Sequence, residues 1–359
     1  MFSNIQEKGH KLFSYIRLRF IFGKRNEFNR IHPELVHLWR KKFAQMIKYS
    51  WLRVWEIADE FLNAKIELVK KSDLLFDSST PTLLCVLKND IAKIKLFMQH
   101  YRELGVVNFV FLDNMSTDGT YEFLLEQEDV TIYRCEHSFT ADRKVAWLNR
   151  LIAELGLNRW YLMVDSDEFF SYQGYKEHNI NQFIEKVSKK GIKRVGVIHL
   201  DMYPKGKLFN NDSNMNFMDE YCYFDKDTYT FKNAHSVIYM RGGPRKRAFG
   251  MNMSLSGVRM VYFEADDIVP SAHFMLPYLK EGITPIYLVS RHYKFVDESD
   301  YNKMLEAVQT GMHYNNSVGY RAYLDVLTKN PDLSLYDEGH SLLFSEENLK
   351  VFSFLETLF

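Results

Sequence analysis

An α/β fold, a mostly parallel sheet flanked by helices, is what the sequence predicts, on three observations. Between residues 83 and 165, short apolar runs alternate with amphipathic stretches of helical period. The runs are too short for helices, and the stretches between them are long enough to cross back over a sheet. Acidic residues collect where the apolar runs stop, at "VFLD" and "YLMVDSDEFF", the rim where sheets of this kind bind their ligands.

Taken in order, residues 1–75 read as a helical N-terminal region. "KLFSYIRLRFIFGKR" (11–25) mixes aromatic and aliphatic residues with Arg17, Arg19, Lys24 and Arg25. That composition suits a helix lying on an anionic membrane surface, or one packed on its own protein with a solvated basic face. Residues 33–71 continue with apolar residues at three- and four-residue spacing, and "DSSTPT" (77–82) breaks the pattern and marks a boundary. The main domain follows over 76–297. Strands are predicted at 83–87, 106–113, 130–135 and 159–165, and helices at 91–105, 119–127 and 141–156. "INQFIEKVSKKG" and "VGVIHLDMY" add a further helix and strand. Residues 205–260, rich in Asn, Asp, Tyr and Gly, read as irregular loops. From 298 to 359 the chain reads as helical again, through "ESDYNKMLEAVQTG", "SVGYRAYLDVL" and "SEENLKVFSFLETL".

Composition excludes several classes. The 359 residues are 46% hydrophobic and 26% charged, which rules out a disordered chain. Cys85, Cys135 and Cys222 lie too far apart for a disulfide framework or a CxxC metal motif, and a reducing, cytoplasmic location is expected. No run approaches 18 apolar residues, and the N-terminus lacks the apolar core and cleavage site of a signal peptide. Net charge is zero but uneven, with 15 Lys and Arg against 7 Asp and Glu in residues 1–71. The acidic remainder has no basic stripe with interleaved aromatics, so nucleic acid is not an expected partner.

Asp113 ends the second predicted strand and Asp165 the fourth. Carboxylates gathered on one rim repel unless a cation separates them. Asp165 and Asp167, two apart, offer hard oxygens to Mg2+ or Mn2+ while leaving coordination positions for phosphate. Their rival reading is an ordinary strand-capping turn.

Together, "CVLKND" (85–90), "FVFLDNMSTDGT" (109–120) and "VDSDEFF" (164–170) resemble the glycosyltransferase family 2 superfamily, in particular its bacterial branch with paired DNxSxDGT and DxDEF segments. "HYRELGV", "GGPRKRAFG", "SAHF" and "RHYKF" extend the resemblance from about residue 82 to 312. It implies a GT-A fold, a nucleotide-diphosphate sugar donor and inverting transfer to a glycan or lipid-linked acceptor in cell-surface polysaccharide synthesis. By matching positions, it implies that Asp113 contacts base or ribose, that Asn89, Asp90 and Arg143 line the same pocket, and that Asp165 and Asp167 hold the metal with Glu168 in support. His292 is the implied third metal ligand, with His273 an alternative.

"GGPRKRAFG" reads as a flexible loop whose Arg245 and Arg247 fold over phosphates. The lysine expected after it in relatives is absent. An inverting transfer needs a carboxylate base, for which Asp201 is best placed by strand order, with Asp219, Asp266 and Asp267 as alternatives. Two other functions compete: a HAD-type phosphotransferase with Asp165 as nucleophile, and a non-catalytic, membrane-associated scaffold.

Overall fold

The computed structural model describes residues 2–24, 26–49, 53–73, 80–209, 216–271, 273–279, 283–311 and 317–359, with side chains from Phe13 onward. In chain order the strands are β1 (Glu67–Lys70), β2 (Thr82–Leu87), β3 (Asn108–Asp113), β4 (Val130–Arg134), β5 (Arg159–Met163), β6 (Glu168–Ser171), β7 (Arg194–Asp201), β8 (Tyr223–Asp225), β9 (Tyr229–Ala234), β10 (Val237–Gly242), β11 (Ser256–Phe263), β12 (Ile268–Ser271), β13 (Phe274–Leu276), β14 (Ile286–His292) and β15 (Ser341–Leu343). The helices are α1 (Phe2–Gly23), α2 (Glu27–Ile31), α3 (Val36–Met46), α4 (Val54–Asn63), α5 (Ile91–Glu103), α6 (Thr120–Leu125), α7 (Ala141–Leu155), α8 (Ile180–Lys189), α9 (Phe217–Glu220), α10 (Gly243–Phe249), α11 (Glu298–Thr310) and α12 (Val318–Lys329).

Among the described residues, one nine-stranded sheet organises the molecule, in the order β1-β4-β3-β2-β5-β11-β7-β14-β6. The strands β2, β3, β4, β5, β7 and β14 share one direction, while β1, β11 and β6 oppose it. This is the expected α/β, Rossmann-like, mostly parallel architecture. Alternation along the strands divides the core into two layers. Leu83, Cys85, Leu87, Phe109 and Phe111 pack with residues of α5, α6 and α8. Leu84, Val86, Val110 and Leu112 pack on the other face with α7 and, together with it, the N-terminal helices through Leu18, Phe28, Trp39, Phe43 and Phe61. Lys42 fastens the layer further, because its buried ammonium donates to the carbonyls of Glu264 (2.9 Å) and Asp267 (2.5 Å). Burial drives its pKa down to about 8 against the pull of Asp267.

Four segments depart from the sequence expectation. Residues 67–70, read as helix, form the edge strand β1 beside β4. The stretch 205–260 is more ordered than its composition implies, and Ser256–Phe263 runs antiparallel through the middle of the sheet between β5 and β7. "GGPRKRAFG" is a helix, not a flexible loop: Pro244 sits in its first turn and Gly250 caps it in the left-handed region. Gly242 is fixed by crowding, since a Cβ there would fall 2.3 Å from the Thr228 carbonyl oxygen. The last predicted helix is only a short 3-10 turn, Asn348–Val351, whose Leu349 and Phe352 pack into the core. The first half of the "DSSTPT" boundary, residues 77–79, lies outside the described residues.

Candidate functional site

The carboxyl ends of β2, β3, β4, β5 and β14 meet α11 and Tyr320 of α12 around a cavity of about 500 Å³. In five residues the chain steps from β5, mid-sheet, to β6 at the far edge beyond β14. The turn between them therefore crosses the rim, placing Asp165, Ser166 and Asp167 on the cavity wall. Ser166 Oγ donates to Asp90 Oδ2 at 2.7 Å, joining this turn to the start of α5.

Five of the wall carboxylates, those of Asp90, Asp165, Asp167, Asp300 and Glu306, have a cation of the chain against them. Asp165 pairs with Lys144, which the Thr140 cap sets in the first turn of α7, and lies 4.0 Å from Arg259 Nη2. Burial opposes its ionisation, but Lys144 and Arg259 outweigh burial and hold its pKa below the usual carboxylate range. Asp167 lies 3.4 Å from His292 Nε2 and 3.5 Å from Lys294. Those two charges overcome its burial and keep it well below that range. Asp90 is paired with Lys303, and Asp300 with Lys93. Among the described lining residues, Lys88, Lys93, Lys144, Lys294 and Lys303 face six carboxylates, those of Asp90, Glu136, Asp165, Asp167, Asp300 and Glu306. The wall is near neutral, and one divalent cation would make it net positive.

Behind the turn, Glu168 accepts from Arg259 Nη2 (3.0 Å) and lies 3.3 Å from His199 Nδ1. Burial, reinforced by Asp165 and Asp167, pushes Glu168 up to about 7 despite Arg259. His292 is a buried cation between two carboxylates, with Nδ1 2.6 Å from Asp201 Oδ1. Burial would lower its pKa, but Asp167 and Asp201 raise it to about 9. Both ring nitrogens are engaged by carboxylates, Nε2 by Asp167 and Nδ1 by Asp201, and a metal bound at Asp167 would have to displace the Nε2 proton for His292 to join it. The donor set thus fits a hard divalent cation through Asp165 and Asp167, whose carboxylates share the cavity wall, with His292 3.4 Å from Asp167. His273 does not line the cavity, and its Nδ1 lies 3.2 Å from the Ser256 carbonyl oxygen.

Other residues singled out in the sequence stand off the cavity. Asp113 is fully buried, and its carboxylate accepts from the Ser116 amide (3.1 and 3.2 Å) and pairs with Arg134 (3.0 Å). Its neighbours Asn114 and Met115 line the cavity instead. Asn89, at φ +56°, ties two rim loops together through the Thr117 amide (2.8 Å) and Ser116 Oγ (2.9 Å). Arg143 braces the wall segment 136–139 by donating to the Ser138 carbonyl at 2.7 Å, and also pairs with Glu60. Asp201 is enclosed between His292 and Arg245 (2.7 Å). Arg247 is spent on Asp225 (2.9 Å) and the Leu335 carbonyl (2.7 Å). Asp90, Asp165 and Asp167 are thus the anticipated residues that line one cavity, while Asp113, Asn89, Arg143, Asp201, Arg245, Arg247 and His292 build its surroundings.

Sequence reading missed the lysines and Arg259. Lys144 follows Arg143 and Lys294 lies in "RHYKF", so both sat inside noted segments. Lys303 and Arg259 carried no local signal.

No family model and no curated protein matches the sequence. Among the solved structures that match this chain are two that are similar in part. TarS 1-349 of S. aureus aligns over 70% of this chain and 73% of its own, with 10% identity and a TM-score of 0.30. HddC from Yersinia pseudotuberculosis aligns over 62% of this chain and 97% of its own, with 11% identity and a TM-score of 0.31. Likenesses this weak leave the function to rest on the geometry of the cavity.

Proposed function

We propose that the protein is a glycosyltransferase that binds a nucleotide-diphosphate sugar in the rim cavity and passes the sugar, with inversion, to a glycan or lipid-linked acceptor of a cell-surface polysaccharide. One observation carries the reading: an Asp-Ser-Asp turn crosses the carboxyl rim of the sheet directly opposite Lys144, Lys294 and Lys303. A cavity of about 500 Å³ is within the usual range for a ligand of that size.

In this reading Lys144, Lys294 and Lys303 exchange their carboxylate partners for the oxygens of the diphosphate, whose charge grows as the sugar leaves. Mn2+ or Mg2+, held by Asp165 and Asp167, would supply further charge to the same oxygens. Glu168 and Arg259 keep the acid turn in place from behind. The base that takes the acceptor's proton would be a carboxylate within reach of the acceptor hydroxyl. Asp201, the candidate by strand order, is engaged by His292 and Arg245, which would have to release it for that role.

The test is a screen of nucleoside diphosphates and nucleotide sugars by thermal melting, with Mn2+ or with chelator. One nucleotide should stabilise the protein, by about 2.7 kcal/mol at a hundred times its Kd, and more strongly with Mn2+. No shift with any nucleotide would favour the non-catalytic scaffold.

An acceptor carried on lipid fits the N-terminal helix. Among the described residues no helix is long and apolar enough to cross a membrane, but α1 has two apolar faces. Leu18 and Phe22 are buried in the core, whereas Phe13, Ile16 and Phe20, at helical spacing, are 65%, 59% and 64% exposed. Arg17, Arg19 and Lys24 flank the exposed stripe, a pattern suited to an anionic lipid surface. Replacing Phe13, Ile16 and Phe20 together by serine should weaken co-sedimentation with anionic vesicles at least ~10-fold and leave the melting temperature unchanged. Undiminished sedimentation would reject this contact.

A further inference from the structure

Beside the cavity, a carboxylate, a thiol and an imidazole from distant parts of the chain converge. Glu60 comes from α4, and Cys135 and His137 follow β4. One donor atom of each lies within 4.8 Å of the other two, the one such trio among the described residues. His137 Nδ1 is 2.9 Å from Glu60 Oε1 and 3.1 Å from Oε2. Cys135 and Glu60 are buried, whereas His137 is part-exposed and lines the cavity.

The groups around the trio hold it in shape. Asn114 donates to the carbonyls of Cys135 (2.7 Å) and His137 (2.8 Å), fixing the segment that carries both. Trp147 Nε1 donates to Glu60 Oε1 at 2.6 Å, and Arg143 Nε approaches Oε2 at 3.3 Å. Outer contacts of this kind orient metal ligands before an ion arrives. A mixed oxygen, sulfur and nitrogen set selects a borderline-soft cation over Mg2+ or Ca2+. That preference separates the trio chemically from the all-oxygen acid turn.

We propose that Glu60, Cys135 and His137 form a binding site for a zinc-class divalent cation, with three protein ligands and a remaining position reached from the cavity beside His137. Such an ion ties α4 of the N-terminal region to the wall segment 136–139. Binding replaces the thiol proton by the metal and releases that proton to solvent, with no oxidation or reduction. The site stands whether or not the cavity takes a nucleotide sugar.

The test uses the full chain, stripped with chelator, dialysed and titrated with Co2+. A thiolate-to-cobalt absorption band in the near ultraviolet should saturate at one equivalent and be abolished by Zn2+. Cys135→Ser should remove the band. His137→Gln, at a part-exposed position, should weaken Co2+ binding at least ~10-fold while leaving the melting temperature in chelator unchanged. Asp165→Asn should keep the band, showing that it does not arise at the acid turn. No saturable band in the wild type, a band that persists in Cys135→Ser, or unchanged affinity in His137→Gln would overturn the proposal.

Discussion

Asp165→Asn is expected to lower turnover of the preferred nucleotide sugar by about 10²–10³-fold, while circular dichroism shows the fold retained. Asparagine keeps the shape of the side chain and removes its charge. The wild-type carboxylate stays ionised because Lys144 and Arg259 overcome its burial, so the loss is that of a permanent anion on the cavity wall. In the proposed mechanism this anion places a divalent cation against the departing diphosphate, an interaction worth about 3–4 kcal/mol in the transition state. Lys144→Met is the companion variant: it removes the opposite charge of the same pair and should lower turnover with no loss of Mn2+ binding. Initial rates at saturating Mn2+, read beside melting curves, separate the two effects. Wild-type turnover in Asp165→Asn would detach the acid turn from catalysis.

The second large effect is on stability. Arg259→Met should cost about 3–5 kcal/mol, read from denaturant unfolding. Arg259 is 5% exposed and is the counter-charge of Glu168 (3.0 Å) and, more distantly, of Asp165. Methionine fills much of the volume and leaves Glu168 buried without a cation. The sign of the pH dependence follows from Glu168, whose folded pKa of about 7 lies above its ordinary 4.5. A carboxyl raised on folding contributes stability at low pH and loses it as pH climbs through the folded value. Without Arg259 the folded value moves higher still. The deficit of the variant should therefore be smallest near pH 5 and widen above about pH 7, and a pH-independent deficit would show that Arg259 acts through packing alone.

The same arginine explains a limit of sequence reading. The strands from 83 to 165 were legible because buried parallel strands leave bare apolar runs between amphipathic helices. Ser256–Phe263 lies in the middle of the same sheet, yet "SGVRMVYF" carries a charge at its centre, made tolerable by the distant Glu168 and, further off, Asp165. "GGPRKRAFG" misled in the opposite way: three cations in a row suggest a solvated loop, while Pro244 and Gly250 were the start and stop signals of a helix. At the site, the strand-end acids stood out from the apolar runs before them. Their lysine partners did not, because a lysine on an amphipathic helix looks the same whether it faces water or Asp165. Asp113 and Asp201 sat at strand ends and invited a ligand role, but Arg134 and Arg245 already hold them. The cavity side of that rim is supplied by Asn114, Met115 and Lys294. Glu60, Cys135 and His137 are spread over some 78 positions, so no local spacing could have grouped them.

The hydrophobic layer shared by the N-terminal helices and one face of the sheet has a practical consequence. Trimming the chain back to its first central strand would strip α7 and β12 of the Trp39, Phe43 and Phe61 cluster that packs against them and leave a wet apolar surface. A shortened chain of this kind would be an aggregation hazard rather than a minimal working unit. The region that reads as an appendage is half the foundation on which the acid turn stands.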